Sequence, residues 1–381
     1  MIGKIVRTCS LAFVMAAATF HIARAGTAYD GSWSLSIVTQ RGGCDPFCVE
    51  TASPDLGMLN SGLQLYWLKH TQPTRFGQIV HSLHLPQFCS YLFTQTPVAD
   101  LTSVGCHTGL WHFARHRYHD WLAQEQILTL KQPVVSSATT IPARLGGRSV
   151  PVGVGIHDSS AALIPYLKAF REPFLLISTG TWCIALNPFN TEPLTINELE
   201  QDCLTYLTYE GKPVKASRIF AGNEHERMTR HLADYFHVAP DHYKTIPYDP
   251  ALVAQLRTRF RQSNPDAVDL TQLKESAFVE RNLNEFTNYT EAYHQFMLDL
   301  TVQQTASVRL VLGRAGVSQI FVDGGFSRNP LYMHLLAERF PGHQLYASDI
   351  AQATALGAAI VIEAAWNTRP FDGQQFVLKQ Y

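Results

Sequence analysis

Charge is scarce in this chain. Only 16% of its 381 residues are Asp, Glu, Lys or Arg, against 46% hydrophobic, and the formal net charge is −1. A disordered chain needs the opposite balance. With no basic excess there is no field to draw in nucleic acid or an anionic membrane. No apolar run reaches the ~18–20 residues that span a bilayer, so no membrane segment is expected. The sixteen histidines never form HExxH: His225 precedes Glu226, but the next histidine is His231, and the zinc spacing is lost. The seven cysteines, at 9, 44, 48, 89, 106, 183 and 203, contain no CxxC pair. Scattered single cysteines suit a reduced cytosolic protein. Cys44 and Cys48, in "GGCDPFCVE", stand apart from that pattern. Internal repeats and low-complexity linkers are missing too.

What is present divides near residue 49. The length allows two domains and a large core. Residues 1–25 resemble an export signal: Lys4 and Arg7, the apolar "LAFVMAAATF", then "ARA" before Gly26. An ordinary N-terminal helix is the other reading. Residues 26–48 suit the opening strand of a small secreted domain, with "SWSLSIV" alternating as a half-buried strand does. From residue 49 the texture is α/β. "GLQLYWLKH" and "YHDWLAQEQI" predict helices. "VPVGVGI" predicts a buried strand leading into helix "SSAALIPYLKAF", which Pro165 should shorten or kink. Strand "FLLIST" follows, then a helix over about Glu291–Leu312. Strand "QIFVDGG" leads to helix "PLYMHLLAERF", with Asn329 as its cap and Pro330 at its first position.

One stretch poses the functional question. "PVGVGIHDSSAAL" ends an apolar run in His157, Asp158, Ser159 and Ser160 before a helix begins. Asp and Ser there can simply cap the helix. Asp158 can also be a general base at a cleft mouth, because open α/β sheets place their chemistry at strand C-termini.

Three segments taken in order decide between these. "GIHDSSAAL", "LLISTGTWCIAL" and "IFVDGGFSRNPLYMHLLAERF" with "ATALGAA" behind it resemble the FGGY carbohydrate kinase family, over roughly residues 49–381. "HDSSAA" followed by "STGTW" is most similar to the rhamnulokinase branch. The resemblance implies an α/β, actin/hexokinase/Hsp70-like (ribonuclease H-like) two-lobe fold. Residues 49–165 would be the remainder of the N-terminal lobe and 166–381 the nucleotide-binding C-terminal lobe. It implies that Asp158 deprotonates a sugar hydroxyl as that hydroxyl attacks the γ-phosphate of ATP. His157 and Ser159 would hold the sugar. Thr179, Gly180 and Thr181 would meet phosphate oxygens, and Gly324 and Gly325 would lie against the adenosine. Mg2+ is implied by the reaction, held mainly by phosphates and water. No residue is assigned as a metal ligand.

The chain also departs from the family. A strand, an Asp-Gly-Thr-type turn and a second strand should open the N-terminal lobe and grip the β- and γ-phosphates. Asp30, Gly31 and Ser32 in "YDGSWSLSIVTQR" offer only a chance match, since no apolar strand precedes Asp30. The expectation is a kinase that lacks the first part of its N-terminal lobe and carries an unrelated leader. It would phosphorylate a ketose or deoxy-ketose of the rhamnulose, fuculose or xylulose type. The alternative is a non-catalytic sugar- or nucleotide-binding remnant. The expected partner is a small-molecule sugar, with no nucleic acid and no membrane; a homodimer is left open. The family implies the cytoplasm, and the leader, if genuine, export.

Overall fold

Phe174–Thr179 reads Phe-Leu-Leu-Ile at its centre, and those four side chains are buried. Such a run fits a strand covered on both faces. It is β1 of a seven-stranded sheet, whose strands are numbered here in chain order: β2 Cys183–Asn187, β3 Cys203–Leu207, β4 Pro213–Ile219, β5 Gln319–Gly324, β6 Gln344–Ser348 and β7 Leu378–Gln380. In space the order is β3-β4-β2-β1-β5-β6-β7. β1, β5 and β6 run parallel, while β2, β4 and β3 extend the sheet antiparallel on one side, with β3 outermost, and β7 is an antiparallel edge on the other. This is a computed structural model. It describes residues 61–106, 108–260, 275–350, 352–369, 371–373 and 376–381, and the backbone alone of 37–40 and 43–45. The readings on residues 1–36, on Cys48 and on the side chain of Cys44 lie outside the described residues.

Alternation along the strands builds two cores. Leu175, Ile177, Ile320 and Val322 face one side and pack with Tyr293, Phe296, Met297 and Leu300. Those four belong to a helix over Tyr289–Leu312, which Asn288 caps by accepting from the Glu291 N–H. Phe174, Leu176 and Phe321 face the other side and pack with Leu163 and Tyr166 of the helix Asp158–Ala169. That helix is twelve residues long and runs through Pro165, so the expected shortening does not occur. It crosses the helix Ala353–Val361, where a side chain on Gly357 would collide with the Ala161 carbonyl. Ala161 and Gly357 are small enough for the two backbones to meet.

The N-terminal portion is built differently. Its strands are short: Ala99–Asp100 beside Val134–Val135, Trp111–His112 beside Arg117–Tyr118, and a longer hairpin of Thr140–Leu145 with Arg148–Gly153. A modest core of Leu65, Leu68, Val104, Leu110, Leu122 and Ile127 holds it. The backbone of Ile37–Gln40 pairs with Gly43–Asp45 and with Ser82–Leu83. One sequence expectation is corrected here. "VPVGVGI" is no buried strand: the observed strand stops at Gly153, and none of its residues is fully buried. Gly155 then turns at φ +89°, where any side chain would strike the backbone of Pro86, so the chain reaches His157 as an irregular segment. The antiparallel strands β3 and β4 and the helix Ala221–Phe236 were not anticipated from sequence.

Candidate active site

Asp158 is the first residue of its helix, after His157 at the N-cap position, which makes no side-chain cap bond. Oδ1 accepts from the Ser159 N–H at 2.6 Å and from the Ser159 hydroxyl at 3.3 Å, so it serves a first-turn donor at the positive end of the helix. The side chain is nevertheless 77% exposed, with His157 Nε2 3.3 Å away. A carboxylate that stays in the open can also accept a proton. Burial pulls the His157 pKa down, but the Cys106 sulfur and the Asp158 and Asp100 carboxylates pull it up further, to about 9. His157 is therefore an imidazolium at neutral pH, a donor beside the carboxylate.

Residues that sequence reading passed over hold this turn. The His157 N–H donates to the Thr102 hydroxyl at 3.0 Å. Thr102 in turn donates to the fully buried Asp100, which also accepts from Ser137 at 2.6 Å and from the Ser103 N–H at 3.1 Å. Burial raises the Asp100 pKa against those hydrogen bonds. From the C-terminal side, Tyr206 of β3 packs edge-on against His157 at 5.2 Å. The Ser160 hydroxyl donates to the Leu207 carbonyl at 2.7 Å. The turn is thus clamped between the two halves of the chain. Thr102 and Ser103 open "TSVGCHTGLWHF", a stretch that resembles the later part of the family's N-terminal lobe, but sequence reading assigned none of the clamp residues a part in holding this turn.

The second cluster lies where β1 and β5 end side by side, Thr179 opposite Gly324. Gly324 sits at φ +82°, and a Cβ there would collide with the Thr179 carbonyl; only glycine fits. The Thr179 hydroxyl donates to the Asp323 carbonyl and accepts from the Phe326 N–H at 3.0 Å. The Gly325 N–H donates to the Thr179 carbonyl at 3.0 Å. Thr179 therefore joins the two turns, its hydroxyl already engaged by protein. Gly180, Thr181, Gly324 and Gly325 are exposed, and a Cβ on Gly325 would meet no atom within 4 Å. These open glycine turns fit a phosphate-bearing nucleotide. "STGTW" is also a β-hairpin turn, since β1 and β2 are antiparallel across it. Gly222, at the start of the helix Ala221–Phe236, lies directly under the Gly180 carbonyl, and the Asn223 N–H donates to the Thr181 carbonyl at 3.1 Å.

Tyr166 connects the clusters. It lies on the Asp158 helix, and its hydroxyl donates to Asp323 Oδ2 at 3.4 Å. Burial pushes the Asp323 carboxyl up to about 6, against hydrogen bonds from Ser178, Tyr166 and the Thr179 backbone. Among the described residues no group of three or more His, Cys, Asp or Glu could hold a metal ion. Among them, too, no helix is long and apolar enough to cross a membrane.

Solved structures share this architecture. A carbohydrate kinase from Novosphingobium aromaticivorans matches with a TM-score of 0.66 at 23% identity, covering 87% of this chain and 70% of its own. A xylulose kinase from Rhodospirillum rubrum matches with a TM-score of 0.67 at 14% identity, covering 91% and 77%. A gluconate kinase from Lactobacillus acidophilus gives 0.61 at 15%, covering 85% and 68%. At these identities the likeness is one of fold, the two-lobe actin/hexokinase-like fold. No curated protein matches the chain in sequence. Residues 171–370, just over half of the chain, match the family described as "Carbohydrate kinase FGGY, C-terminal domain". The chain belongs to the FGGY carbohydrate kinases, a family of phosphotransferases.

Proposed function

We propose that this protein transfers the γ-phosphoryl group of ATP to a hydroxyl of a ketose or deoxy-ketose of the rhamnulose, fuculose or xylulose type. The observation that carries this is the exposed Asp158 carboxylate, held at a helix start beside the His157 imidazolium and joined through Tyr166 to the glycine turns at the ends of β1 and β5. ATP supplies the phosphoryl group, and Mg2+ would ride on its phosphates. Asp158 accepts the sugar hydroxyl proton as the new O–P bond forms. The bond between the γ-phosphorus and its bridging oxygen breaks, and ADP leaves with the electron pair. His157 and Ser159 orient the sugar. Gly180 and Thr181 face the phosphates, Gly324 and Gly325 the adenosine, and Thr179 locks the two turns together.

Binding without phosphoryl transfer is the second reading. One observation favours it: the Thr179 hydroxyl, in the turn assigned to phosphate, is already engaged by the Asp323 carbonyl and the Phe326 N–H. Sugar-dependent ADP release across a panel of ketoses separates the two. Asp158→Asn should cut turnover by roughly 10²–10⁴-fold with little change in sugar affinity. A folded variant with unchanged turnover would mean that Asp158 serves only its helix start.

A further inference from the structure

Arg218 is an unusual cation for its position. It lies near the end of β4, paired with Ile184 of β2, and its guanidinium carbon stands 4.7 Å from the centre of the Trp182 ring. It therefore sits against the "STGTW" turn. Its side chain is only 7% exposed, yet its one ion-pair contact is Nε to Asp202 Oδ2 at 3.0 Å. Among the described residues its two Nη groups have no hydrogen-bonding partner. A guanidinium carries five N–H donors, and buried charges are normally hydrogen-bonded throughout. Arg281 shows the usual solution, with both Nε and Nη2 on the buried Asp299. Arg218 keeps open the forked face that binds phosphate oxygens in pairs.

Three neighbours indicate what that face meets. Trp182 Nε1, on the ring beneath the guanidinium, is buried without a hydrogen-bonding partner among the described residues. The start of the sixteen-residue helix Ala221–Phe236, with its partly positive end, is packed against the same turn through Gly222. Tyr206, on the neighbouring strand β3, packs edge-on against His157 at 5.2 Å, and His157 Nε2 lies 3.3 Å from Asp158.

We propose that Arg218, tethered through Nε by Asp202 and stacked on Trp182, forms with the "STGTW" turn a binding site for a phosphoryl group. The ligand is the γ-phosphate of the nucleotide or the phosphate of the sugar product. This rests on the kinase reading and adds a contact that the three sequence motifs do not contain. Asp202, one-third exposed and at φ +64°, holds the guanidinium by its side and leaves the fork outward.

Calorimetry on the full chain tests this with inorganic phosphate, ATP and ADP, beside Trp182 fluorescence. Wild type should bind ATP more tightly than ADP, and phosphate should change the fluorescence. Arg218→Met should weaken phosphate and ATP by ~10-fold or more, with a smaller effect on ADP, and Arg218→Lys should fall between. The phosphate-induced fluorescence change should vanish in Trp182→Phe. Should Arg218→Met fold poorly with Asp202 left unpaired, the double variant Arg218→Met/Asp202→Asn and Arg218→Lys carry the comparison. Folded Arg218 variants that bind phosphate and ATP as wild type does would overturn this site and leave the kinase reading standing. Arg218-dependent phosphate binding without ATP binding would support the site and count against the kinase reading. A wild type that binds neither overturns both.

Discussion

The seven-stranded sheet and the N-terminal portion differ in where their order comes from. In the sheet, β1 is bonded on both sides, to β2 and β5, and apolar side chains cover both faces. Among the described residues of the N-terminal portion three of the five strand pairs are two residues long, and half of the longest hairpin is exposed. Tyr66, Val80, Leu92, Phe93, Phe113, Leu128 and Leu145 stand exposed there as well. A strand with two neighbours and two covered faces is over-determined; a two-residue ladder depends on whatever packs around it. The candidate base hangs between these regimes, since Thr102 grips its turn from one side and Tyr206 from the other.

Hydrogen exchange should expose the largest contrast. Amides of β1 should open only with the whole domain, and those of Ala99–Asp100 and Val134–Val135 by local opening several kcal/mol cheaper. Equal protection in both regions would erase the comparison.

Glycine substitutions sharpen it. Gly324 and Gly109 both have positive φ, +82° and +68°, but Gly324 abuts the Thr179 carbonyl and Gly109 has nothing within 4 Å. Gly324→Ala should cost more than ~4 kcal/mol in chemical denaturation, because strain and collision act together. Gly109→Ala should cost only ~1 kcal/mol, the conformational part alone. Similar losses would mean that the β1–β5 junction yields more readily than its packing implies.

A smaller effect concerns Asp323. Its folded pKa of about 6 lies above the ordinary 3.8, so between those values the folded state holds more protons. Its contribution to stability is therefore present below about pH 4 and is lost as pH rises through 6, by about 2–3 kcal/mol. Asp323→Asn removes that dependence. The stability of the variant relative to wild type should rise between pH 4 and pH 7. A difference that stays flat with pH would show that Asp323 titrates alike in both states.

Legibility followed the same division. "FLLIST", "QIFVDG" and "QLYAS" could be read because a buried parallel strand needs a continuous apolar run, and a run is a local property. The Asn329–Pro330 helix start was legible because a cap and its helix are neighbours in sequence; Asn329 accepts from the Leu331 and Tyr332 N–H groups. "VPVGVGI" misled for the same reason. Its apolar, glycine-spaced pattern suits a buried strand, but burial depends on what covers it, and here Val154 and Ile156 are buried only after the half-exposed hairpin strand has ended at Gly153. The helix over Asp158–Ala169 outlasted Pro165 because packing outweighed one missing donor. β4 carried no signal, since "PVKASRI" buries Lys215 and Arg218, charges that sequence reading places outside.

The sequence alone determined the family, through three ordered motifs, and singled out the residues proposed to carry its chemistry: Asp158, the "STGTW" turn and the paired glycines. Those are choices of residue type, and proton transfer and close phosphate approach restrict the types that serve. Only the tertiary structure decided that Asp158 is an open carboxylate beside His157, that the Thr179 hydroxyl ties two turns together, and that Arg218 stands half-bonded over Trp182. Each depends on atoms brought together from distant positions in the chain. Burial and partner geometry, which set both the charge of His157 and the unused donors of Arg218, exist only once those positions have met.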